Sequence, residues 1–186
     1  MRKSIFIFLF IPLITLGQTR KEVASQNIQN LKNGALIVRL KTAENKINAL
    51  KKVGREKEAE EAAKKQYLEN QEIYTAFKTI YNFSPVYFFY SSSSNNILLE
   101  KYKGNLLNEK LEVDTTINVT EQYIYISEFD NTPGTGLSAL VIKNKKFELL
   151  EKPFPFYVKG YDLFPVFRRH KSDMISIMNG KLHKAS

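Results

Sequence analysis

An α/β fold built on one mixed central sheet is predicted by three features of the sequence. Two successive segments, 34–54 and 86–104, repeat the layout apolar strand, hydroxyl residue, helix, closing at Gly54 and Gly104. That layout calls for partly parallel strands joined by helical crossovers. Beyond about residue 120, strand-length runs of aromatic and β-branched residues replace helical periodicity. The chain has 186 residues and no cysteine, so a single domain must be held by an ordinary apolar core without disulfides.

A helical lead-in over 22–32 ends at Asn33-Gly34, and the apolar run Ala35-Leu36-Ile37-Val38-Arg39-Leu40 is a strand buried on both faces. Thr42 is placed to cap a helix whose Ala43, Ile47, Leu50 and Val53 recur at helical spacing up to Gly54. A longer helix covers 56–81, with an apolar stripe thin at Ala59, Ala62 and Ala63 and thick at Tyr74, Phe77, Ile80 and Tyr81. The pair forms a helical hairpin inserted at about 42–81, its far end in solvent and its aromatic end on the body of the domain. Val86-Tyr87-Phe88-Phe89-Tyr90 is the strongest strand signal and is read as the central strand.

Ile97, Leu98, Leu99 and Tyr102 predict a helix ending at Gly104, while 106–119 is ambiguous. Residues 123–129 form a convincing strand, and 130–136 is dense in turn residues. Segments 137–142 and 147–150 flank Lys143-Asn144-Lys145-Lys146 as a C-terminal β-hairpin. Pro153 and Pro155 confine 153–157 to an edge or an extended arm, since proline lacks the donor a ladder needs. A last helix covers about 172–184, turning Met174, Ile175, Ile177 and Met178 to the sheet.

The N-terminus predicts export. Arg2 and Lys3 precede an apolar run of 13 residues from Ser4 to Leu16, and Thr15-Leu16-Gly17 supplies small residues for cleavage. A helix of that run reaches roughly 20 Å, short of the about 20 residues a membrane span takes. Residues 1–17 are therefore expected to be a cleaved signal peptide and 18–186 the domain, periplasmic or extracellular, with no transmembrane span after cleavage. The 18–186 chain carries a formal charge of +7, with basic ends and a slightly acidic middle. Such a charge favours anionic envelope surfaces and is also common on plain soluble proteins.

Several chemistries are excluded by composition. Without cysteine there is no thiol nucleophile and no cysteine-ligated zinc or iron-sulfur centre. The two histidines, His170 and His183, lack metal-ligand spacing, and no nucleophile elbow, phosphate loop or dinucleotide fingerprint occurs. No cofactor is expected. Export and the lack of an interleaved basic and aromatic motif argue against nucleic acid as a partner.

Two groups remain as candidates. Ser91, Ser92, Ser93, Ser94 and Asn95 follow a strand and feed a helix, where open α/β folds bind ligands, with Thr42 and Arg39 at the matching edge of the first unit. The plainer alternative is that Ser94 or Asn95 caps the helix within a polar loop. Arg168, Arg169 and His170, with Asp162, Lys171 and Asp173, are suited to gripping a phosphate or carboxylate, or else form a solvated stretch before the last helix. The aromatic cluster Phe154, Phe156, Tyr157, Tyr161, Phe164 and Phe167 is either a docking patch or an arm packed back on the sheet. Asn118-Val119-Thr120 and Asp114-Thr115-Thr116 match short glycosylation patterns.

The order of elements, with the serine run after a strand, loosely resembles the thioredoxin-like layout. The cysteine pair is absent and no proline stands just before Leu137, so the resemblance implies at most a scaffold and no activity. The expected function is non-catalytic binding of an unknown anionic ligand or envelope protein. The alternative is a hydrolase or transferase on an anionic envelope substrate, which requires the serine run and Arg168, Arg169 and His170 to share one pocket.

Overall fold

The structure, a computed structural model, describes residues 18–132, 136–162 and 165–186. The expected signal peptide, Pro133 to Thr135 of the predicted turn, and Phe164 lie outside the described residues. In chain order the elements are α1 (Arg20–Lys32), β1 (Ala35–Leu40), α2 (Glu44–Lys52), α3 (Glu56–Ile80) and β2 (Val86–Tyr90). A 3₁₀ turn at Ser91–Ser93 leads to α4 (Ser94–Leu98), then β3 (Ile124–Asn131), β4 (Ser138–Asn144) and β5 (Tyr157–Lys159). A second 3₁₀ turn, Pro165–Phe167, precedes α5 (Lys171–Ala185).

The five strands form one sheet in the order β2-β1-β3-β4-β5. β1 is parallel to both β2 and β3, whereas β4 runs antiparallel to β3 and β5. The predicted mixed sheet with helical crossovers is therefore the architecture of the molecule, and the helical hairpin α2–α3 is its long insertion between β1 and β2. The thioredoxin-like layout is not confirmed.

Four expectations change. The helix expected to end at Gly104 ends at Leu98. Val86–Tyr90 is an edge strand, not the central one. Its aromatic side chains are buried without a second strand neighbour: the Phe88 ring lies 4.4 Å from that of Tyr74 on α3, and the Phe88 carbonyl accepts from the Leu107 amide at 2.9 Å. Aromatic content reports burial, and burial here comes from a helix and a loop.

The arm 147–150 contributes only the bridge Lys143–Leu149, and β4 pairs instead with β3 and β5. The chain reverses at Phe147, whose φ is 63° and whose amide donates to the Asn144 carbonyl, leaves the ladder after Leu149, passes the two prolines that cannot donate to a ladder, and rejoins the sheet at Tyr157. Thr42 does not cap α2; the cap position is Ala43, at φ 53° and without a side-chain bond. The Thr42 hydroxyl lies instead 3.3 Å from that of Ser91.

The alternation of each strand separates two cores. Leu36, Val38 and Leu40 of β1, Phe88 of β2 and Leu140 and Ile142 of β4 face α1, α3 and α5, where Ile28, Leu31, Phe77, Met174, Ile175 and Met178 complete the larger cluster. On the opposite face Ala35, Ile37, Phe89, Ile124 and Ile126 are covered by Ile97 of α4 and Leu106. Toward the carboxyl ends of β1 and β3 this second face turns charged, with Arg39 and Glu128 following the apolar positions at period two, and Lys143 of antiparallel β4, opposite Ile126, reaches along it to Glu128.

Gly34 joins α1 to β1 under a tight constraint. A Cβ there would meet the Tyr123 carbonyl oxygen at 2.0 Å and the Asn30 carbonyl oxygen at 2.7 Å, while Ala35 donates to the same Tyr123 oxygen at 2.8 Å. Both obstacles are backbone, so no side chain can move aside. Gly34→Ala is expected to lose about 1–3 kcal/mol, the range for overpacking a tight site. A urea midpoint unchanged from the parent would show that this junction is looser than described.

Candidate functional site

Three clefts lie along the carboxyl ends of the parallel strands and around the β5 edge. The first is a crevice of about 520 Å³ beyond the ends of β1 and β3, lined by Lys41, Asp130, Asn131, Asp162, Arg168, Arg169, His170 and Lys171 together with Glu69 and Glu72 of α3. The connection leaving β1 leads to β2 on one side of it, while β3 lies on the other. A crevice at such a divergence is where open α/β sheets hold ligands.

Most of its charges are already paired. Lys171 Nζ donates to Glu69 Oε1 at 2.6 Å and lies 3.9 Å from Glu72 Oε2. Arg168 Nε is 3.8 Å from Asp162 Oδ1, and Asp130 Oδ2 accepts from Lys143 Nζ at 3.0 Å. Arg169 donates from Nη1 to the Lys159 carbonyl at 3.0 Å, with its guanidinium 4.8 Å above the Tyr161 ring. The Lys41 side chain forms no hydrogen bond or ion pair among the described residues, its charge reaching Asp130 from a distance, and Asn70, buried on α3, fixes its carbonyl at 2.8 Å. Lys171 thus serves two carboxylates, Arg168 and Lys143 one each in this crevice, and Lys41 and Arg169 are the lining cations in no ion pair among the described residues.

The serine run borders a second cleft of about 480 Å³, lined by Arg39, Lys41, Thr42, Gln66, Ser91 and Ser92. Its hydroxyls are largely engaged within the protein. Ser94 Oγ accepts from Arg39 Nε at 2.9 Å and donates to the Ser91 carbonyl at 2.6 Å. Ser92 and Asn95 are exposed, and Ser93 is half-buried. α4 spans 5 residues, and its cap residue Ser93 makes no capping bond. Neither Ser94 nor Asn95 is the cap residue.

The two groups singled out from the sequence line separate clefts, and Lys41 lines both. Among the described residues no serine hydroxyl is hydrogen-bonded to a histidine ring. His183 Nε2 is 2.8 Å from Asn82 Oδ1, and the His170 amide donates to Asp173 Oδ2 at 3.1 Å. No group of three or more potential metal ligands occurs among the described residues.

A charged network absent from the sequence reading fixes the edge of this region. Glu128, with 5 % of its side chain exposed, accepts from Arg39 Nη1 and from Lys143 Nζ, each at 2.6 Å. One signal was available: Arg39 is the single charge in the otherwise apolar run 35–40. Which residues it meets depended on register.

Asp130 and Lys143 have displaced ionisation. Burial acts to raise the Asp130 carboxyl, but hydrogen bonds from Lys143 Nζ and the Asn131 amide, with the charges of Lys143 and Lys41, outweigh it and hold the group below its ordinary value. Burial acts to lower Lys143, and its bonds to Glu128 and Asp130 raise it above its ordinary value.

The signs follow by linkage. Asp130 contributes stability above its unfolded value near about 3.9, lost as pH falls through the lower folded value; Lys143 contributes below about 10.4, lost as pH rises through the higher one. The stability gap between wild type and Lys143→Met is therefore expected to be widest between about pH 5 and 9 and to narrow toward both extremes. Urea midpoints across pH measure it, and a gap constant at all pH values would contradict the pairing.

Comparison with known proteins adds no relative. No family model, characterised protein or solved structure matches the chain. Function is argued from the site alone. Among the described residues no helix is long and apolar enough to cross a membrane.

Proposed function

We propose that this chain is an exported binding protein that holds an anionic ligand, without catalysis, in the crevice beyond the carboxyl ends of β1 and β3. The observation that carries the reading is the presence of two cations free of carboxylate contact: Glu69 and Glu72 share Lys171, Asp162 lies by Arg168 and Asp130 by Lys143, while Lys41 and Arg169 form no ion pair among the described residues. Preorganised cations in a concave site favour a carboxylate, phosphate or sulfate. Export is supported by the basic and apolar pattern of the first 17 residues. The cell envelope is rich in such anions, and Val166 and Phe167, 90 % and 70 % exposed beside Arg168, offer apolar contact to an envelope partner.

The test is a thermal-shift screen of the purified protein against sugar phosphates, nucleotides and acidic oligosaccharides, repeated with Lys41→Ala. A ligand at 100 times its dissociation constant stabilises the native state by about 2.7 kcal/mol. A rise in Tm with one of these classes, reduced at least tenfold in apparent affinity by Lys41→Ala, is the expected result. No shift with any class, or a shift indifferent to Lys41→Ala, overturns the reading. N-terminal sequencing of the secreted or periplasmic fraction tests export, with Gln18 expected as the first residue.

A further inference from the structure

The edge strand β5 carries a feature independent of the crevice. Its ladder to β4 uses residues 156, 158 and 160: the Phe156 carbonyl accepts from the Ile142 amide and the Gly160 amide donates to the Ser138 carbonyl, both at 2.7 Å, with Val158 opposite Leu140. Tyr157 and Lys159 therefore turn their backbone groups away from the sheet.

Their carbonyls are occupied by cations. Lys181 Nζ donates to the Tyr157 oxygen at 3.4 Å and Arg169 Nη1 to the Lys159 oxygen at 3.0 Å. Their amide hydrogens have no partner among the described residues. An added β-strand needs both donors and acceptors along an edge. This edge offers donors only.

Beside it lies a cleft of about 600 Å³, in the range of small-molecule sites. Four of its lining residues are cationic, Lys152, Lys159, Arg169 and Lys181, and none is a carboxylate. The rest of the wall is apolar, including Phe156 and Ile177, and Tyr161 holds the Arg169 guanidinium from below at 4.8 Å. Lys152 and Lys159 have no side-chain partner among the described residues. The Lys159 amide, between the two carbonyls held by Lys181 and Arg169, suits an oxygen of an anion, which accepts and does not donate.

We propose that the β5 edge is a second binding site, for a small amphipathic anion. Its carboxylate or phosphate head accepts from the Lys159 amide between Arg169 and Lys181, and its apolar body lies against Phe156 and Ile177. This site shares Arg169 with the crevice but does not require the crevice reading, and Lys41, which lines the crevice and not this cleft, separates the two.

The experiment is a titration of the isotope-labelled full-length protein with phenyl phosphate and with decanoate, read by amide chemical shifts and calorimetry. Inorganic phosphate supplies the head alone, and benzyl alcohol a neutral body. At least one amphipathic anion is expected to bind at least tenfold more tightly than either control and to move the Lys159 amide. Preference for phenyl phosphate marks an aromatic phosphate as the source of the ligand, and preference for decanoate an acyl carboxylate. Lys181→Met, or Lys152→Met should that variant fail to fold, is expected to weaken binding about tenfold, while Lys41→Ala leaves it unchanged. Binding no tighter than that of inorganic phosphate, an unmoved Lys159 amide at saturation, or loss through Lys41→Ala would each overturn the proposal.

Discussion

Glu128→Ala is expected to destabilise the protein by about 3–5 kcal/mol, the cost of removing one partner from a buried ion pair. The carboxylate is 5 % exposed and receives Arg39 and Lys143 at 2.6 Å each. Its loss strands Lys143, whose side chain is 13 % exposed, with only Asp130 as a counter-charge. The size of the effect comes from the orphaned cation more than from the pair itself, because desolvating two charges consumes most of their mutual attraction. Replacing all three members with apolar residues, Arg39→Met, Glu128→Leu and Lys143→Met, is accordingly expected to recover most of the loss. Urea denaturation of the single and triple variants decides the matter. A loss under about 1 kcal/mol in Glu128→Ala would show that the network is hydrated and its members independent.

The second large effect is at Phe88. Truncation to alanine is expected to cost about 3–5 kcal/mol. Phe88 is 1 % exposed, with the Tyr74 ring at 4.4 Å and the Phe77 ring at 6.2 Å. Those contacts join the edge strand to the aromatic end of α3, so a cavity there loosens the insertion as well as the strand. Leu99, 64 % exposed, is the control, and its alanine variant is expected within about 0.5 kcal/mol of wild type. Equal losses at the two positions would mean that α3 does not pack on β2 as described.

Much of the fold was legible because local physics decides it. The run Ala35 to Leu40 reads as a doubly buried strand since it carries one charge in six residues, and in the structure only Arg39 of the six is not buried. The stripe of α3 gave its packed end, and Ile73, Ala76 and Phe77 are buried there. The rank of a strand in the sheet was not legible. Val86–Tyr90 is as apolar as a central strand, yet its outer edge is closed by a backbone loop, and a loop that supplies one amide leaves no pattern in the sequence.

The candidate site divides along the same line. Composition alone removed thiol chemistry and cysteine-ligated metals, and sequence proximity alone assembled Arg168, Arg169 and His170. Pairing across long separations did the rest. Glu128 meets Arg39 from 89 residues away, and Lys171 meets Glu69 from 102. Those contacts determine which cations are spent within the protein and which remain for a ligand. The thin aromatic arm after Pro153 became an edge strand with its carbonyls capped because β4 lay within reach, a matter of where the chain returns and not of what it contains.

By itself, then, the sequence determined the element types, the mixed α/β class, the disulfide-free core and the basic balance, all of which follow from local periodicity and composition. The tertiary structure alone decided strand rank, the buried Arg39–Glu128–Lys143 network, and which crevice cations, Lys41 and Arg169, stand in no ion pair among the described residues. Each of these depends on register and on contacts between residues distant in the chain, where hydrogen bonds and ion pairs act over a few ångströms and the sequence carries no record of distance.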